Sequence, residues 1–554
     1  MQSFARLLDR LSYEPRRLSK EALLKDYFVA TPDPERGFAL AALTGGLSFR
    51  HAKPALLRAL IAERTDPTLF ALSYDFVGDL SETIALMWPS QDRTEADHRA
   101  PPSLPLVVER LSSAGKAEVP GLLSSWLDSL DEVERWALLK LVTGGLRVGV
   151  SARLAKTAVA RLGGVDPNSV EEVWHGLTPP FEDLFAWMEG RAGPPDTVDP
   201  VPFRPAMLAH PLDEEKDIPL LPAADFMAEW KWDGIRVQAV AAPAADGTHH
   251  RRLYTRTGED ISAGFPDILA LMDFHGAVDG ELLIKRDGKV QPFSDLQKRL
   301  NRKSVGPKLM KDHPAAIRAY DLLSVAGKDL RKAPFSVRRQ HLADFIGTLA
   351  EPRFDLSPAV SGNDWDAWTE ARSDPAKRLS EADALAVEGL MLKRKDSLYV
   401  PGRPKGEWFK WKRDPFLVDA VLMYAQRGHG KRSSFYSDYT FGVWRKTNDG
   451  EQLVPVGKAY FGFTDEELQE IDRFVRNNTI NRFGPVREVE HSRETGLVLE
   501  VAFEGLNRSS RHKSGLAMRF PRISRLRWDK PPAEADRIET LEALLPATGA
   551  AKRG

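Results

Sequence analysis

The spacing of hydrophobic positions changes twice along the chain of 554 residues. Over roughly the first 190 residues, apolar side chains recur at intervals of three and four, and this period predicts amphipathic helices. One predicted helical stretch, residues 122–145, ends at a Gly-Gly pair, and another begins with Ser151 as its N-cap. Residues 190–205 contain five prolines and two glycines, which marks a domain boundary.

The pattern after this boundary predicts strands and helices in alternation up to about residue 413. Short apolar runs separated by glycine, aspartate and charged residues predict the strands, and helices are predicted at 265–274 and 337–350. The strand-like runs are FMAEWKW, IRVQAVAA, RLYTR, GAVDGELLI, IRAYDLL and GLMLKR.

The third pattern begins at Asp414 and consists of strands bounded by glycine-rich turns, with one predicted helix at 464–478. These strands fit a small closed β-barrel, and the alanine-rich residues after it predict a short terminal helix. The sequence therefore predicts a multidomain fold class, with an all-α domain at 1–200, an α/β domain at 201–413, a β-barrel domain at 414–530 and a tail at 531–554.

Composition excludes several classes of chemistry. The chain contains no cysteine, which rules out disulfides, cysteine-ligated zinc, iron–sulfur clusters and a thiol nucleophile. No apolar run reaches the length of about 18 residues that a membrane span needs. The first residues, MQSFARLLDRLSYEP, lack the apolar segment of a signal peptide, so a cytoplasmic location is expected.

Net charge at first argues against nucleic-acid binding, because 78 basic and 79 acidic residues leave a formal charge of −1. The distribution along the chain reverses that argument. Basic residues outnumber acidic ones by nine to two in 285–311, by eight to two in 393–413 and by seven to none in 508–527. One such cluster is usually a solvated surface, but three clusters interleaved with aromatic residues predict a phosphate-binding track.

Five short motifs carry the candidate chemistry, and they occur in a fixed order: EWKWDGIR (229–236), VDGELL (278–283), AYDLL (319–323), EGLMLK (388–393) and EWFKWKRD (407–414). A lysine followed by Asp-Gly is, by itself, more often an edge strand that ends in a turn. Lys231 is a candidate nucleophile because a lysine amine can attack when its pKa is depressed by burial or by neighbouring positive charge.

The other motifs supply groups suited to a nucleoside triphosphate. Glu281 and Glu388 offer carboxylate oxygens for Mg²⁺ or for a ribose hydroxyl. Lys410 and Lys412 alternate along one strand, so both face the same way, where they would bind the α-phosphate and depress the pKa of Lys231. Tyr320 offers a flat face for a purine. Each residue also has a purely structural alternative: a core tyrosine, surface salt bridges or a solvated lysine face.

The ordered motifs resemble those of the covalent nucleotidyl ligases and the mRNA-capping enzymes, and the whole chain resembles the bacterial ATP-dependent DNA ligases. Segments 74–86 and 140–160 are similar to the helical DNA-binding domain of that family. Segments 427–444, 456–468 and 516–530 are similar to its OB-fold domain. The resemblance implies an all-α DNA-binding domain, an α/β nucleotidyltransferase (adenylation) domain and an OB-fold β-barrel.

The resemblance also implies a role for individual residues. Lys231 would carry AMP, Arg256 would engage the 5′-phosphate of the nick, and Arg147 and Gly149 would lie near the DNA backbone. The residues implied to surround ATP are Glu229 near adenine, Arg236 and Glu281 at the ribose, Tyr320 stacked on adenine, Glu281 and Glu388 at the metal, Lys410 and Lys412 at the α-phosphate, and Arg519, Arg522, Asp529 and Lys530 closing over the nucleotide.

One position departs from the family pattern. Many relatives have an arginine six residues before the first lysine of WFKWK, and this chain has Pro404 there. Arg403 or Lys405 would take its place through a shifted loop, and Arg403 is included among the expected nucleotide contacts.

The implied reaction has three steps that use ATP and Mg²⁺ or Mn²⁺. Lys231 attacks the α-phosphorus, AMP passes to the 5′-phosphate of a nick in duplex DNA, and the 3′-hydroxyl displaces AMP. The expected protein is a monomer that encloses DNA as a clamp, works at the nucleoid in replication, repair or recombination, and has unidentified DNA-repair proteins as partners.

Three alternatives stand beside this reading. The NAD-dependent DNA ligases share the lysine motif but carry a four-cysteine zinc site, which this chain lacks. RNA ligases and capping-type nucleotidyltransferases typically lack both the N-terminal helical domain and the RFPR segment at 519–522. A DNA-end-binding scaffold without turnover would not need the lysines and carboxylates that remain here.

Overall fold

The computed structural model of this chain describes residues 1–89, 101–195, 199–244, 246–300, 302, 304–427, 435–448, 450–509 and 513–545. The chain divides into two compact units, Met1–Lys412 and Arg413–Gly554. Within the described ranges, no helix combines the length and the apolar character needed to cross a membrane.

The N-terminal part of the first unit is helical, as its hydrophobic period predicts, and its helices enclose one apolar core. The helices are α1 (Gln2–Tyr13), α2 (Arg17–Ala30), α3 (Glu35–Leu43), α4 (Pro54–Ala62), α5 (Pro67–Val77), α6 (Leu80–Met87), α7 (Leu104–Ser113), α8 (Val119–Ser129), α9 (Glu132–Thr143), α10 (Ala152–Gly163), α11 (Pro167–Val173) and α12 (Glu182–Met188).

The helical stretch predicted at 122–145 is in fact broken between α8 and α9. Asp131 caps α9 by accepting a hydrogen bond from the backbone of Glu134, whose side chain in turn accepts from the backbone of Asp131. This capping box starts a new helix inside an uninterrupted apolar period. The prediction that Ser151 caps the next helix is confirmed, because its hydroxyl accepts a hydrogen bond from the backbone of Leu154.

Two helix–loop–helix pairs in this part share the tetrapeptide Thr-Gly-Gly-Leu at the C-terminal end of the first helix. It follows α3 at residues 44–47 and begins with the last residue of α9 at 143–146. Gly45 and Gly144 adopt φ values of 76° and 74°, which a residue with a Cβ rarely adopts. The same residues therefore turn the chain out of both helices into loops that lead to α4 and α10.

The rest of the first unit contains two sheets with helices between their strands. Its helices are α13 (Pro266–Leu269), α14 (Phe293–Gln297), α15 (Pro307–Asp312), α16 (Phe335–Leu349), α17 (Trp365–Ser373) and α18 (Glu381–Leu385). Its strands are β1 (His210–Pro211), β2 (Phe226–Trp232), β3 (Ile235–Pro243), β4 (His249–Thr255), β5 (Gly276–Arg286), β6 (Lys289–Val290), β7 (Ala315–Val325), β8 (Lys328–Asp329), β9 (Phe354–Leu356), β10 (Val387–Arg394) and β11 (Trp408–Lys412).

The strands follow the predicted apolar runs closely, and the helix predicted at 337–350 is confirmed by α16. The helix predicted at 265–274 is much shorter, because only Pro266–Leu269 is α-helical. One sheet has the order β1-β11-β10-β2 and the other the order β4-β3-β5-β7-β8, with β6 beside β5 and β9 beside β7. Consecutive strands β2 and β3 therefore belong to different sheets.

The second unit is rich in sheet and contains the helix predicted at 464–478. Its elements are the strands β12 (Phe416–Arg427), β13 (Tyr436–Thr447), β14 (Gly450–Ala459), β15 (Thr479–Phe483), β16 (Val486–Val489), β17 (Val498–Phe503), β18 (Gly505–Arg508), β19 (Leu516–Arg519) and β20 (Arg522–Arg527), and the helices α19 (Asp465–Asn477) and α20 (Ile538–Glu542).

Strand β12 organises this unit, since it pairs with β13 on one side and with β16 and β17 on the other. The short helix α20 confirms the helix predicted in the tail. Its Ile538 and Leu541 are buried in the same apolar core as the strands. By its sequence, segment 427–444 resembles part of an OB-fold domain. Residues 428–434 of that segment lie outside the described residues.

Packing of α3 against the loop before α12 gives a stability prediction. A Cβ at Gly37 would overlap the backbone carbonyl of Pro180, whereas a Cβ at Gly121 in α8 would meet nothing within 4 Å. We expect Gly37→Ala to lower the free energy of unfolding by about 1–3 kcal/mol through overpacking. Gly121→Ala, the control, should raise it by about 0.5–1 kcal/mol through helix propensity. Urea unfolding followed by circular dichroism measures both, and equal shifts would contradict the packing argument.

Candidate active site

A cavity of about 240 Å³ lies between the two sheets of the first unit. Its lining comes from β2, β10 and β11 of one sheet and from β3, β5 and β7 of the other. The sequence-predicted residues that line it are Glu229, Lys231, Arg236, Arg256, Glu281, Tyr320, Arg403 and Lys410. The fold thus brings together side chains from all five motifs.

The Asp-Gly turn after Lys231 carries the chain from one sheet to the other. The Asp233 amide donates to the Ala386 carbonyl at 2.7 Å. A Cβ at Gly234 would lie 2.5 Å from the Leu282 carbonyl oxygen, so only glycine allows β5 to pass this close. The turn therefore holds Lys231, at the end of β2, beside the neighbouring sheet.

Strand register places the lysines on one face, as their alternation predicts. Lys231 and Lys412 both pair with Gly389 of β10, from its two sides. Two residues further along β10, Met391 pairs with both Glu229 and Lys410. Residues two apart in a strand share a face, so these four side chains project towards the same side of the sheet.

A β-bulge brings the carboxylate of Glu388 to the same place. The register of β10 against β2 shifts between Val387 and Gly389, and Gly389 has a φ of 144°. Glu388 Oε2 lies 2.8 Å from the amine of Lys231 and 3.7 Å from that of Lys412. Neither Glu388 nor Lys412 lines the cavity, but Glu388 contacts Lys231, which does.

The expectation that neighbouring lysines depress the pKa of Lys231 is wrong for the chain by itself. Burial, the largest influence, lowers that pKa, but the charges of Glu388 and Glu281 and the hydrogen bond with Glu388 together raise it above its usual value. Lys412 forms an ion pair with Glu388. The amine is therefore protonated near neutral pH.

Glu281 is a second unusual carboxyl group, placed on β5 opposite Arg236 of β3. Burial, with a smaller contribution from the charge of Glu388, raises the pKa of Glu281 to about 8 against the opposing influence of Lys231. A buried acid that is mostly protonated at neutral pH gains most from a nearby cation. This property makes Glu281 a suitable oxygen ligand for a divalent metal ion.

The residues fit a metal ion shared with a nucleotide rather than one held by protein alone. Among the described residues, no three His, Asp or Glu side chains are grouped to hold a metal ion. Mg²⁺ is commonly bound by one or two carboxylates together with substrate phosphates. Glu281 and Glu388, which both act on the Lys231 amine, match that arrangement.

Positive side chains surround the same end of the site. Burial lowers the pKa of Lys410, and the charges of Lys412, Arg403, Lys231 and Arg256 lower it further. Cations that disfavour one another in this way are stabilised by a bound anion, such as a phosphate. Arg403 lines the cavity, whereas Pro404, at the position where many relatives have an arginine, cannot contribute a charge.

An aromatic and ionic cluster forms another wall. Lys393 is buried with its ammonium 4.6 Å from the ring centre of Tyr320 and 4.8 Å from that of Trp408. It forms an ion pair of 2.7 Å with Glu229, whose other oxygen faces Arg339 at 3.2 Å. Lys393 and Arg339 were missed by the sequence reasoning. The alternation of EGLMLK places Lys393 on the face of Met391, whereas no motif marks Arg339.

Arg236 lines the cavity and also belongs to a buried hydrogen-bond network. Its guanidinium donates to Asp279 at 2.6 Å, to the Met207 carbonyl at 2.5 Å and to the Tyr399 hydroxyl at 3.1 Å. The Tyr399 hydroxyl also donates to Asp279 at 2.6 Å. These bonds orient Arg236 before any ligand arrives.

The residues expected at the DNA backbone lie in the loop between α9 and α10. Arg147 and Gly149 are exposed and have φ values of 51° and 68°. Lys20 donates to the Val148 carbonyl at 2.6 Å, and a Cβ at Gly149 would collide with this ammonium. The loop is thus anchored to α2 while Arg147 projects into solvent.

The remaining expected nucleotide contacts lie in the second unit, and none lines the cavity. Lys530 lies 2.7 Å from Asp419, and Arg527 lies 2.9 Å from Asp529. A hydrogen bond from Arg527 lowers the pKa of Asp529 to about 2. Arg519 and Arg522 flank the Phe520-Pro521 turn between β19 and β20.

This arrangement defines the class of site. A lysine amine, two carboxylates, a ring of cations and an aromatic wall around one cavity are the groups that nucleotidyl transfer to lysine requires. The family model described as "ATP dependent DNA ligase domain" matches residues 206–412, and that described as "ATP dependent DNA ligase C terminal region" matches 432–530.

Curated relatives point the same way. The chain is 32% identical over 458 residues to a "Probable DNA ligase" of Koribacter versatilis, with 78% of this chain and 75% of the relative covered. It is 29% identical over 570 residues to "DNA ligase 1" of Korarchaeum cryptofilum, with 98% of each covered. The chain belongs to the ATP-dependent DNA ligase family.

A solved structure titled "Pmar-Lig_PreS3" shares the fold, with a TM-score of 0.55, 14% sequence identity, and coverage of 95% of this chain and 99% of that one. With this family, the expected enzyme class and its use of ATP are confirmed, and the chain is a DNA ligase. The NAD-dependent alternative is excluded by the same match.

The raised pKa of Lys231 can be tested in the free protein. In Glu388→Gln the neutral amide no longer favours the charged amine, so the pKa of Lys231 should fall and its labelling by acetic anhydride should begin at lower pH. Mass spectrometry of the Lys231 peptide across a pH series, without metal or nucleotide, measures this midpoint. Glu370→Gln is the control, because Glu370 pairs with Lys377 on the exposed side of α17. An unchanged midpoint in Glu388→Gln would contradict the electrostatic assignment.

Proposed function

We propose that this chain seals nicks in duplex DNA by way of an AMP linked to Lys231. The observation that carries the proposal is the position of Lys231, which lines the cavity together with side chains of the other motifs and whose amine contacts Glu388 at 2.8 Å. The amine loses its proton and attacks the α-phosphorus of ATP, with release of pyrophosphate. The AMP then passes to the 5′-phosphate, and the 3′-hydroxyl displaces it to join the strand.

The surrounding residues would bind and orient the nucleotide. Lys410, Lys412 and Arg403 are proposed to neutralise the α-phosphate, where charge develops during transfer. Tyr320 is proposed to stack on the adenine, and Glu229 to contact it. Glu281 and Glu388 are proposed to hold Mg²⁺ or Mn²⁺, which would polarise phosphate oxygens when bound.

Contacts with DNA are proposed for other parts of the chain. Arg256, exposed in the turn after β4, would bind the 5′-phosphate of the nick, and Arg236 the ribose or the nick. Arg147 and Gly149 would approach the DNA backbone. We further propose that the second unit is the OB-fold domain and that Arg519, Arg522, Asp529 and Lys530 act during the first step.

The role in the cell is a proposal on the same basis. We propose that the enzyme acts as a monomer at the nucleoid, where duplex DNA would be its substrate. The domain bounds 1–200, 201–413, 414–530 and 531–554 are also proposed. The change from helices to sheets supports the bound near 200, and the two compact units support the bound near 413.

The reaction assigned to Lys231 has a direct test. Incubation with Mg²⁺ and α-labelled ATP should give a label on the protein that survives alkali but is released by acid or by hydroxylamine, as a phosphoramide bond requires. Lys231→Ala should reduce this label to background. Lys216→Ala, which removes an exposed lysine paired with Asp213, is the matched control and should label normally. Absence of label from the unaltered protein, or equal label on Lys231→Ala, would refute the mechanism.

The same preparation separates the remaining alternatives. Joining of a DNA nick in preference to an RNA nick supports DNA ligase activity over the RNA ligase or capping alternative. Label without joining of either nick would favour a nucleotidyltransferase of another kind, and neither label nor joining would favour a binding scaffold.

The proposed role of Arg147 is testable through the salt dependence of DNA binding. One lost phosphate contact should weaken binding to every nicked duplex and reduce the slope of log affinity against log salt by about 1. Fluorescence anisotropy from low to moderate salt would measure Arg147→Ala. Arg161→Ala is the control, because Arg161 is exposed on the adjoining α10 and pairs with Glu21. A slope equal to that of the unaltered protein would remove Arg147 from the interface.

A further inference from the structure

A buried lysine holds the loop between α9 and α10 from its inner side. Lys20 of α2 is only 7% exposed, and its amine donates to the Val148 carbonyl at 2.6 Å. Val148 is itself 3% exposed and belongs to the apolar core of the helical part. An ammonium group is costly to remove from water, so a buried lysine needs a bonding partner such as this carbonyl.

The bond to Val148 determines which way the next N–H group faces. The Val148 carbonyl and the Gly149 N–H belong to one trans peptide group, in which the two bonds point in opposite directions. Because the carbonyl is turned inwards to Lys20, the N–H is turned outwards. Gly149 is exposed, and in the part of the chain that the structure describes its N–H donates to no protein acceptor.

Lys20 also explains why residue 149 is a glycine. A Cβ at this position would collide with the Lys20 amine, and the φ of 68° is one that a residue with a side chain rarely adopts. The loop after α3 offers a comparison, since both loops begin with Thr-Gly-Gly-Leu. There Phe49 takes the place of Val148 and is equally buried, but Arg50 follows it without a positive φ. Only glycine fits next to Lys20, whereas the first loop accepts an arginine at that place.

The outward N–H lies close in the chain to a cation already proposed to contact DNA. Arg147 is exposed two residues before Gly149. Backbone N–H groups are frequent donors to DNA phosphates, and a hydrogen bond to a charged oxygen is stronger than one to a neutral acceptor. The ammonium of Lys20 at the other end of the same peptide polarises it and so strengthens the N–H as a donor.

We propose that Lys20 is a positioning residue for DNA binding, which turns the Gly149 N–H outwards so that it donates to a phosphate of the duplex backbone. This rests on the proposed contact of the loop with DNA and adds the residue that sets the geometry of that contact. Lys20 itself stays buried under the loop and contacts no phosphate. Because a phosphate contact carries no information about the bases, the effect applies to every duplex sequence.

The test measures binding of nicked duplex DNA by fluorescence anisotropy over a series of salt concentrations. In Lys20→Met the Val148 peptide is no longer held, so affinity should fall about tenfold, the scale of one hydrogen bond to a charged group. The slope of log affinity against log salt should hardly change, because a neutral N–H group releases no counterion. Arg147→Ala, by contrast, should reduce that slope by about 1.

Lys25→Met is the matched control, because Lys25 is exposed on the same helix and the substitution removes the same charge. Its affinity for nicked DNA should equal that of the unaltered protein. An unchanged affinity in Lys20→Met would overturn the proposal. A slope reduced by about 1 would overturn it as well, since Lys20 would then be a phosphate contact in its own right.

Hydrogen–deuterium exchange shows whether the loop peptide is the group affected. At DNA concentrations that saturate both proteins, DNA should slow exchange in the peptide containing residue 149 of the unaltered protein, and less so in Lys20→Met. A purely structural role would speed exchange with and without DNA alike, so that DNA protects the peptide equally in both proteins. That result would contradict the inference.

Two further variants keep the proposal testable if Lys20→Met folds poorly. Lys20→Gln keeps an N–H donor without the charge, and Gly149→Ala places a Cβ against the amine, so that Lys20 must move away. Each should weaken DNA binding, and the double variant should lose less than the sum of the two free energies, because both changes act on one peptide. Fully additive losses would count against the inference.

Failure of the proposed function is distinguishable from failure of this inference. If the loop does not contact DNA, the unaltered protein itself would bind nicked DNA without protecting the peptide around residue 149. If only the inference fails, that peptide is protected in the unaltered protein and to the same extent in Lys20→Met.

Discussion

The ion pair between Lys231 and Glu388 is the interaction on which the site depends. It exists because a bulge in β10 turns Glu388 onto the face of β2 that carries the lysine. In the free chain this pair keeps the amine protonated, because the carboxylates outweigh the effect of burial. In the proposed reaction, Lys231 would become more reactive once a ligand engages the charge of Glu388, which would link activation of the lysine to binding of substrate.

Close packing of two sheets makes that pair possible. Gly234 lets the chain pass from β2 to β3 with no side chain between it and β5. Gly280 serves the same purpose between β5 and β7, because a Cβ there would lie 2.6 Å from the side chain of Ile317. The register of β5 against β7 shifts at this point, which leaves Tyr320 without a strand partner and directed to the cavity. The site therefore requires glycine at positions 234 and 280, because a side chain would not fit between the strands there.

The other charged side chains of the cavity are of two kinds. Some are already bonded to protein groups, and others lie among charges of the same sign. Arg236 is bound by Asp279, Tyr399 and a backbone carbonyl, so its position does not depend on substrate. Lys410, in contrast, is surrounded by other cations and lacks a nearby carboxylate among the causes of its lowered pKa. The first kind of residue shapes the cavity, and the second kind favours an anion such as a phosphate.

Much of this molecule follows from the sequence by local rules. Apolar spacing determines the strands and most helices, and alternation places Lys410 and Lys412 on one face, because both depend only on the geometry of a single element. Only the tertiary structure determines the remaining features. These are the capping box that divides 122–145, the ion pair between Glu229 and Arg339, and the direction in which the pKa of Lys231 is shifted. Electrostatic shifts depend on distances of a few ångströms between segments far apart in the chain, and a linear pattern contains no such distances.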